Sequence, residues 1–214
     1  MKFTKFIPLV CALALACPAF ADPSDSATSE QQITVDEFIN ITKKTGAVES
    51  ADASFNDTYT TITLDNALSV TFNVITNVPT DVVYLTATAK QNSAQTKCLG
   101  GTTDALKIVF TNDSTPTGAP TGAISNCLDG PVLATNPDAI AFNLTPVITA
   151  DSDSGMTVAP TANLSSNVVT YTFSKAGKCD FQYTMAQSAI PNTFDTHDTA
   201  GTYKATLSMT HTAP

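Results

Sequence analysis

Short runs in which apolar and polar residues alternate are the feature of this sequence that most restricts its fold. The clearest run places Leu68, Val70, Phe72 and Val74 at every second position, so that the four side chains share one face of an extended strand. Thr, Val, Ile, Phe and Tyr dominate such runs, and these residues suit a pleated, half-buried surface. No segment of useful length repeats apolar residues with the spacing of an amphipathic helix. The pattern therefore predicts an all-β fold.

Further alternating runs predict the remaining strands. They lie at residues 33–41, 59–64, 83–89, 106–110, 140–144, near 147, and at 169–173, 179–185 and 203–209. Turn-forming residues separate them, as in Asn77-Val78-Pro79, Gly100-Gly101 and Lys175-Ala176-Gly177. Regularly spaced short strands without helices are typical of a β-sandwich or a β-barrel.

The chain shows no internal repeat and no linker between domains. We expect a single β-sandwich domain over residues 33–214, with a long loop at Asp113–Pro137. Residues 22–32 are small and polar without periodicity, so they predict a flexible N-terminal extension.

The first twenty-one residues have the order of an export signal. Lys2 and Lys5 precede an apolar run over residues 6–17, and Ala19-Phe20-Ala21 fits a signal-peptidase site. Residues 1–21 are therefore predicted to be a signal peptide. Cleavage at Cys17, with a lipid anchor, is the alternative. No later segment is long and apolar enough to cross a bilayer as a helix, so we expect no integral membrane segment in the mature chain.

The charge of the chain argues against nucleic-acid binding. All ten basic residues are lysines and there are nineteen acidic residues, so the net charge is −9. Loss of the leader, which carries two lysines and no acid, would bring it to −11. Arginine is the preferred residue for bidentate hydrogen bonds to phosphates and base edges, and the chain has no arginine. Binding to an anionic membrane surface is disfavoured for the same reason.

Three cysteines follow the leader, namely Cys98, Cys127 and Cys179. In an oxidising compartment two of them should form a disulfide and the third should be left over. We favour Cys98–Cys127, because these two flank a loop-rich insertion and Cys179 reads as a strand residue. All three pairings remain open.

The sequence lacks the motifs of an enzyme. It contains no Gly-x-Ser-x-Gly elbow, no phosphate-binding glycine loop and no His-Glu-x-x-His. Asp195, His197 and Asp198 are interpreted as a solvated turn, and so is Asp151-Ser-Asp-Ser-Gly155, which lacks most of the ligands of a calcium loop. We therefore expect no catalytic residues, no metal and no cofactor.

The two ends of the chain carry a resemblance to a known family. Ala200-Gly-Thr-Tyr opens a final alternating strand, and Gly201 is the fourteenth residue from the C-terminus. An extended segment with an alternating apolar face follows the leader. In these features the chain resembles subunits of chaperone–usher pili, although Ala213 stands where many members have an aromatic residue.

The resemblance implies an immunoglobulin-like β-sandwich that lacks one strand and receives it from a neighbouring subunit. The implied donor-strand residues are Ile33, Val35, Ile39 and Ile41. The implied acceptor-edge strand contains Gly201, Tyr203, Ala205, Leu207 and Met209. Because Glu37 lies on the donor face and a buried unpaired carboxylate is costly, the donor is expected to end at Val35, with Phe38 onward belonging to the domain.

The family also implies partners and a location. The partners would be neighbouring copies or other pilins, a periplasmic chaperone and an outer-membrane usher. The chain would pass through the periplasm and end in a fimbria at the cell surface, where it contributes to adhesion.

Two alternatives stay open at the level of sequence. The end segments could be ordinary core strands of a complete sandwich, because alternation does not distinguish pairing within a chain from pairing between chains. The chain could also be a secreted or surface-attached module that binds a carbohydrate or a host protein through loops such as Thr115–Asn126. Against this alternative, it has no Trp and only five Tyr.

Overall fold

The computed structural model describes residues 29–55, 62–91, 94–97, 99–112, 139–189 and 200–213. Their regular structure is β-strand, apart from one short 3-10 helix at Ser152–Ser154. The chain from Glu37 onward forms one compact unit, and the residues before it form a separate one. The predicted all-β class is therefore confirmed for the described part of the chain.

Fourteen strands occur in these residues. They are β1 (Ile39–Lys43), β2 (Ala53–Phe55), β3 (Ile62–Leu64), β4 (Ser69–Thr76), β5 (Val82–Gln91), β6 (Ala94–Lys97), β7 (Leu99–Thr102), β8 (Ala105–Asn112), β9 (Ala139–Ala150), β10 (Thr161–Ser165), β11 (Val168–Thr172), β12 (Gly177–Ala189), β13 (Tyr203–Lys204) and β14 (Thr206–Thr210).

The strands form two sheets in which every pairing is antiparallel. The larger sheet has the order β1-β4-β12-β9-β8-β13, with β7 also paired with β8 and the β2–β3 pair attached to β12 through β3. The smaller sheet has the order β10-β11-β5-β14. β6 also belongs to the smaller sheet and pairs with β5. Thr88 of β5 pairs with Lys97 of β6 and with Thr206 of β14, so β6 and β14 lie on opposite sides of β5.

The inward faces of both sheets contribute to one hydrophobic core. Phe181 and Tyr183 of the larger sheet and Leu85 and Tyr171 of the smaller sheet are almost completely buried. The rings of Tyr171 and Phe181 have centroids 4.9 Å apart, a spacing favourable for aromatic pairs. The period-two alternation of the sequence is thus the alternation between this core and the two outer faces.

The chain changes sheet near its C-terminus, where one continuous strand was predicted over residues 203–209. β13 pairs with β8 in the larger sheet, whereas β14 pairs with β5 in the smaller sheet. The break falls at Ala205. Alternation of side chains continues through the break, which is why the sequence pattern does not reveal it.

Gly100-Gly101 is not the turn that the sequence predicted, because both glycines lie within β7. The chain turns at residues 103–104 instead. Gly101 has a φ of +92°, and a Cβ at this position would contact the carbonyl oxygen of Ala105. This glycine therefore permits the close approach of the two hairpin strands.

Candidate assembly edge

The outer edge of β14 is the candidate functional site. On one side, β14 pairs with β5 from Thr206↔Thr88 to Thr210↔Tyr84. On the other side, no strand of the described residues pairs with it. An edge strand of this kind presents backbone N–H and C=O groups that can pair with a further strand.

The inward-facing residues of the terminal segment lie where the alternation predicted. Met209 is 8% exposed and belongs to the core. Tyr203, Ala205 and Leu207 are only partly buried and pack against that core. Leu207 lies opposite Ala87, which is fully buried, whereas Leu207 itself is only partly buried.

Gly201 precedes this segment at a point of close contact. A Cβ on Gly201 would lie 2.5 Å from Oδ1 and 2.6 Å from Nδ2 of Asn112, the last residue of β8. The neighbouring Tyr203 pairs with the same residue, Asn112. Glycine thus lets the terminal segment approach β8 before it crosses to the smaller sheet.

The first two implied donor residues, Ile33 and Val35, are highly exposed. Their side chains are 90% and 76% accessible to solvent. Residues 29–38 contain no helix or strand, and those up to Asp36 belong to the separate unit. These two residues are two positions apart, so in an extended chain they point to the same side.

The other two implied donor residues, Ile39 and Ile41, lie in the domain itself. Both are in β1, which pairs with β4, and both are partly buried against the core. The pairing starts at Phe38, whose backbone N donates to Oδ1 of Asn77 at 2.8 Å. A strand that is already paired within its own sheet is not free to pair elsewhere, and of the four implied donor residues only Ile33 and Val35 lie outside the paired strands.

The buried side chain of Asp81 contacts the residue that follows β14, and no sequence pattern predicted this contact. His211 follows β14 directly, and its Nε2 lies 2.8 Å from Oδ1 of Asp81. The Asp81 side chain is 8% exposed and also accepts from Thr76 Oγ1 at 2.7 Å and from the backbone N of Val82 at 2.9 Å. These contacts join segments that are 130 residues apart, which a local pattern does not relate.

Cys179 is a buried free thiol in β12. Its burial, assisted by the negative charge of Asp180, raises the pKa of the thiol to about 12. The thiol is therefore protonated at neutral pH and is a poor nucleophile. The favoured disulfide cannot be placed in the fold, since Cys98 and Cys127 lie outside the described residues.

The acidic segment Asp151-Ser-Asp-Ser-Gly155 forms a short 3-10 turn that is capped by Asp151. Asp151 Oδ1 accepts from the backbone N of Asp153 at 3.1 Å, and its Oδ2 lies 3.4 Å from Nζ of Lys178. The described ranges contain no group of three His, Cys, Asp or Glu residues that could hold a metal. Asp195, His197 and Asp198 lie outside these ranges.

In the described part of the chain, no helix has the length and hydropathy needed to cross a membrane. No protein-family model, curated protein or solved structure matches the chain. The function of the protein must therefore be inferred from its strand order, from the edge of β14 that has no partner among the described residues, and from its exposed side chains.

Proposed function

We propose that this chain is a structural subunit of a surface fimbria, assembled by donor-strand complementation. In this proposal the N-terminal segment of one copy adds a strand to the β14 edge of the next copy. The chain carries the export signal described above and travels through the periplasm. A periplasmic chaperone and an outer-membrane usher are its partners before it reaches the cell surface, and the fimbria contributes to adhesion.

The strand order is the observation that supports this proposal most strongly. An immunoglobulin-like sandwich has strands A, B, E and D in one sheet and C, F and G in the other. If β1, β4, β5, β9, β12 and β14 are taken in chain order as A to F, the larger sheet contains A-B-E-D as β1-β4-β12-β9. The smaller sheet then contains C-F as β5-β14. Strand G would belong beside β14, where the described residues provide no strand.

The exposed N-terminal segment has the chemistry that a strand added beside β14 requires. Added strands gain affinity from backbone hydrogen bonds and specificity from alternate side chains that enter pockets. Ile33 and Val35 are alternate, apolar and exposed, and Leu207 on β14 is an apolar residue that remains partly accessible. Covering such side chains is favourable by roughly 25 cal/mol per Å² of apolar area.

An open, neutral edge also explains why a chaperone would be needed. β14 has the sequence Thr-Leu-Ser-Met-Thr, without a charge or a proline. Natural edge strands usually avoid unwanted pairing through lysine, proline or a bulge. A chain that lacks these features at an edge should associate with other strands unless a partner covers the edge during transport.

The proposal is tested by placing charges on each face of the donor segment. Ile33→Asp with Val35→Asp should abolish polymerisation, because an aspartate would have to be buried in each pocket. Gln32→Asp with Thr34→Asp adds the same charge on the opposite face, so this matched control should still polymerise. Assembly is measured by size-exclusion chromatography and electron microscopy of the exported chain.

A peptide-rescue experiment separates loss of the donor from loss of folding. A synthetic peptide of residues 29–38 should bind the Ile33→Asp/Val35→Asp chain and raise its unfolding midpoint, with a gain of about 2.7 kcal/mol at a peptide concentration of 100 Kd. The same peptide carrying both aspartates should have no effect. If the wild-type chain is a stable monomer that ignores the peptide, the fimbrial proposal fails.

A further inference from the structure

We propose that the outer face of the smaller sheet binds a neutral polysaccharide. This site is separate from the β14 edge, because it is formed by side chains that point away from the core rather than by backbone groups. The face consists of the outward residues of β10, β11, β14 and the first part of β5, Val82–Thr88. In these segments the outward positions carry no charged residue.

One row of residues crosses the four strands of this face. Asn163 pairs with Thr170, Thr170 pairs with Tyr84, and Tyr84 pairs with Thr210. Four strands at the usual spacing place the ends of this row about 15 Å apart. Tyr84 is the one aromatic residue at the outward positions of these segments and has polar neighbours on both sides.

The polar groups of the row are available to a ligand. Within the described residues, the side chains of Asn163, Thr170 and Tyr84 form no hydrogen bond or ion pair with another residue. Thr210 Oγ1 donates to the carbonyl oxygen of Thr212 at 2.9 Å and keeps its acceptor capacity. Hydroxyl and amide groups can both donate and accept, which matches the mixed hydrogen bonding of sugar hydroxyls. The tyrosine ring adds an apolar surface against which the C–H face of a sugar ring can pack.

The charge distribution favours a neutral ligand over an acidic one. The outer face of the larger sheet carries ions, since Asp180 Oδ2 lies 2.9 Å from Nζ of Lys44 and Lys178 pairs with Asp151. In the smaller sheet, lysines come at one end only, where Lys97 of β6 pairs with Thr88 and Lys90 follows Thr88 by two residues; the row through Tyr84 contains no charged residue. On a chain of net charge −9, an anionic polymer would be repelled, and the row Asn163, Thr170, Tyr84 and Thr210 offers it no cationic residue.

A second copy of the chain is a poorer occupant of this face. The cores of protein–protein interfaces are enriched in aromatic residues, Met and Arg and depleted in Ser. Here a single Tyr lies among threonines. The next row consists of Ser165, Val168, Thr86 and Ser208, of which Val168 and Thr86 are buried. A hydrated, hydroxyl-rich polymer fits this composition better than the surface of a protein does.

Affinity electrophoresis in native gels tests the site. The gels contain dextran, hydroxyethyl cellulose or galactomannan, and dextran sulfate serves as the charged counterpart of dextran. We expect at least one neutral polymer to retard the full chain. Tyr84→Ala should weaken that binding about tenfold, which corresponds to the loss of one aromatic contact, whereas Tyr84→Phe should stay within about threefold because the ring is kept. Val147→Ala, at an exposed position on the larger sheet, is the matched control and should change nothing.

Three results would overturn the inference. The site is absent if none of the three neutral polymers retards the chain, if dextran sulfate binds as well as dextran, or if Tyr84→Ala and Val147→Ala behave alike. Should Tyr84→Ala prove unstable by thermal unfolding, Asn163→Ala with Thr170→Ala gives the same test without removing the ring. If sedimentation shows that Tyr84→Ala dissociates copies of the chain, the face joins subunits instead. The Ile33→Asp/Val35→Asp chain should bind the polymer normally, so failure of the fimbrial proposal would not affect this result.

Discussion

Asp180 shows how contacts from several strands set the charge state of one residue. Burial alone would raise the pKa of this carboxyl group. Hydrogen bonds from Lys44 at 2.9 Å and from Asn73 at 2.6 Å, together with the charges of Lys44 and Lys178, outweigh that effect and lower the pKa. The ionised form is therefore favoured in the folded protein more than in the unfolded chain.

The lowered pKa of Asp180 leads to a pH-dependent prediction for the stability of Asp180→Asn. A carboxyl group whose pKa is lowered by folding stabilises the folded state at pH values above its pKa in the unfolded chain, about 3.9. This stabilisation is lost as the pH falls through the pKa of the folded state. The variant should be less stable than the wild type by roughly 0.5–1 kcal/mol at pH 7, and the difference should vanish in acid. Urea unfolding at several pH values measures it. Asp153→Asn makes the same charge change at an exposed site, and an equal pH-dependent loss there would contradict the assignment.

The buried thiol of Cys179 gives a second prediction at this scale. Because the pKa is raised to about 12 and the side chain is fully buried, the folded chain should react with iodoacetamide at this residue only slowly at pH 8. Unfolding without reduction should expose one reactive thiol in the mature chain if Cys98 and Cys127 are paired. Mass spectrometry of the alkylated peptides identifies the residue, and three alkylated cysteines would rule out that disulfide.

Among the elements, the strands with long alternating runs were predicted and the short edge strands were not. β4, β5, β8, β11 and β12 each overlap a run that the sequence predicted to be a strand, to within one residue at each missing end. By contrast, β2, β6, β7 and β10 have at most five residues each and few apolar side chains. A short polar strand is held mainly by the backbone of its neighbour, so its own residues carry little signal.

The terminal segment provides a prediction at the scale of an element. Gly201→Val should place side-chain atoms against Asn112, which is buried and cannot move away freely. We expect a loss of about 1–3 kcal/mol, as for other overpacked sites, because the segment must approach β8 before it crosses between the sheets. Thr202→Val, at the exposed neighbouring position, should change stability by less than about 0.5 kcal/mol. Thermal unfolding compares the two, and equal effects would show that the contact is unimportant.

For the whole molecule, the decisive contacts join distant parts of the chain. β4 pairs with both β1 and β12, and residue pairs such as Val74↔Cys179 are more than a hundred positions apart. Pairing at this separation leaves no trace in a single sequence, because each strand shows only its own alternation. Both the sheet order and the side of β14 that lacks a partner among the described strands depend on these pairings.

The alternation of apolar residues was sufficient to predict an all-β chain and the inward faces of its main strands, because side chains in a strand alternate whatever the partner is. The position of Glu37 already placed Phe38 onward in the domain, but the tertiary structure alone decided that β4 is the partner of Ile39 and Ile41 and that Ile33 and Val35 are exposed. It also placed the uncharged residues of four separate strands on one outer face. These properties depend on which strands are neighbours, and backbone hydrogen bonds between strands are not specific to residue type.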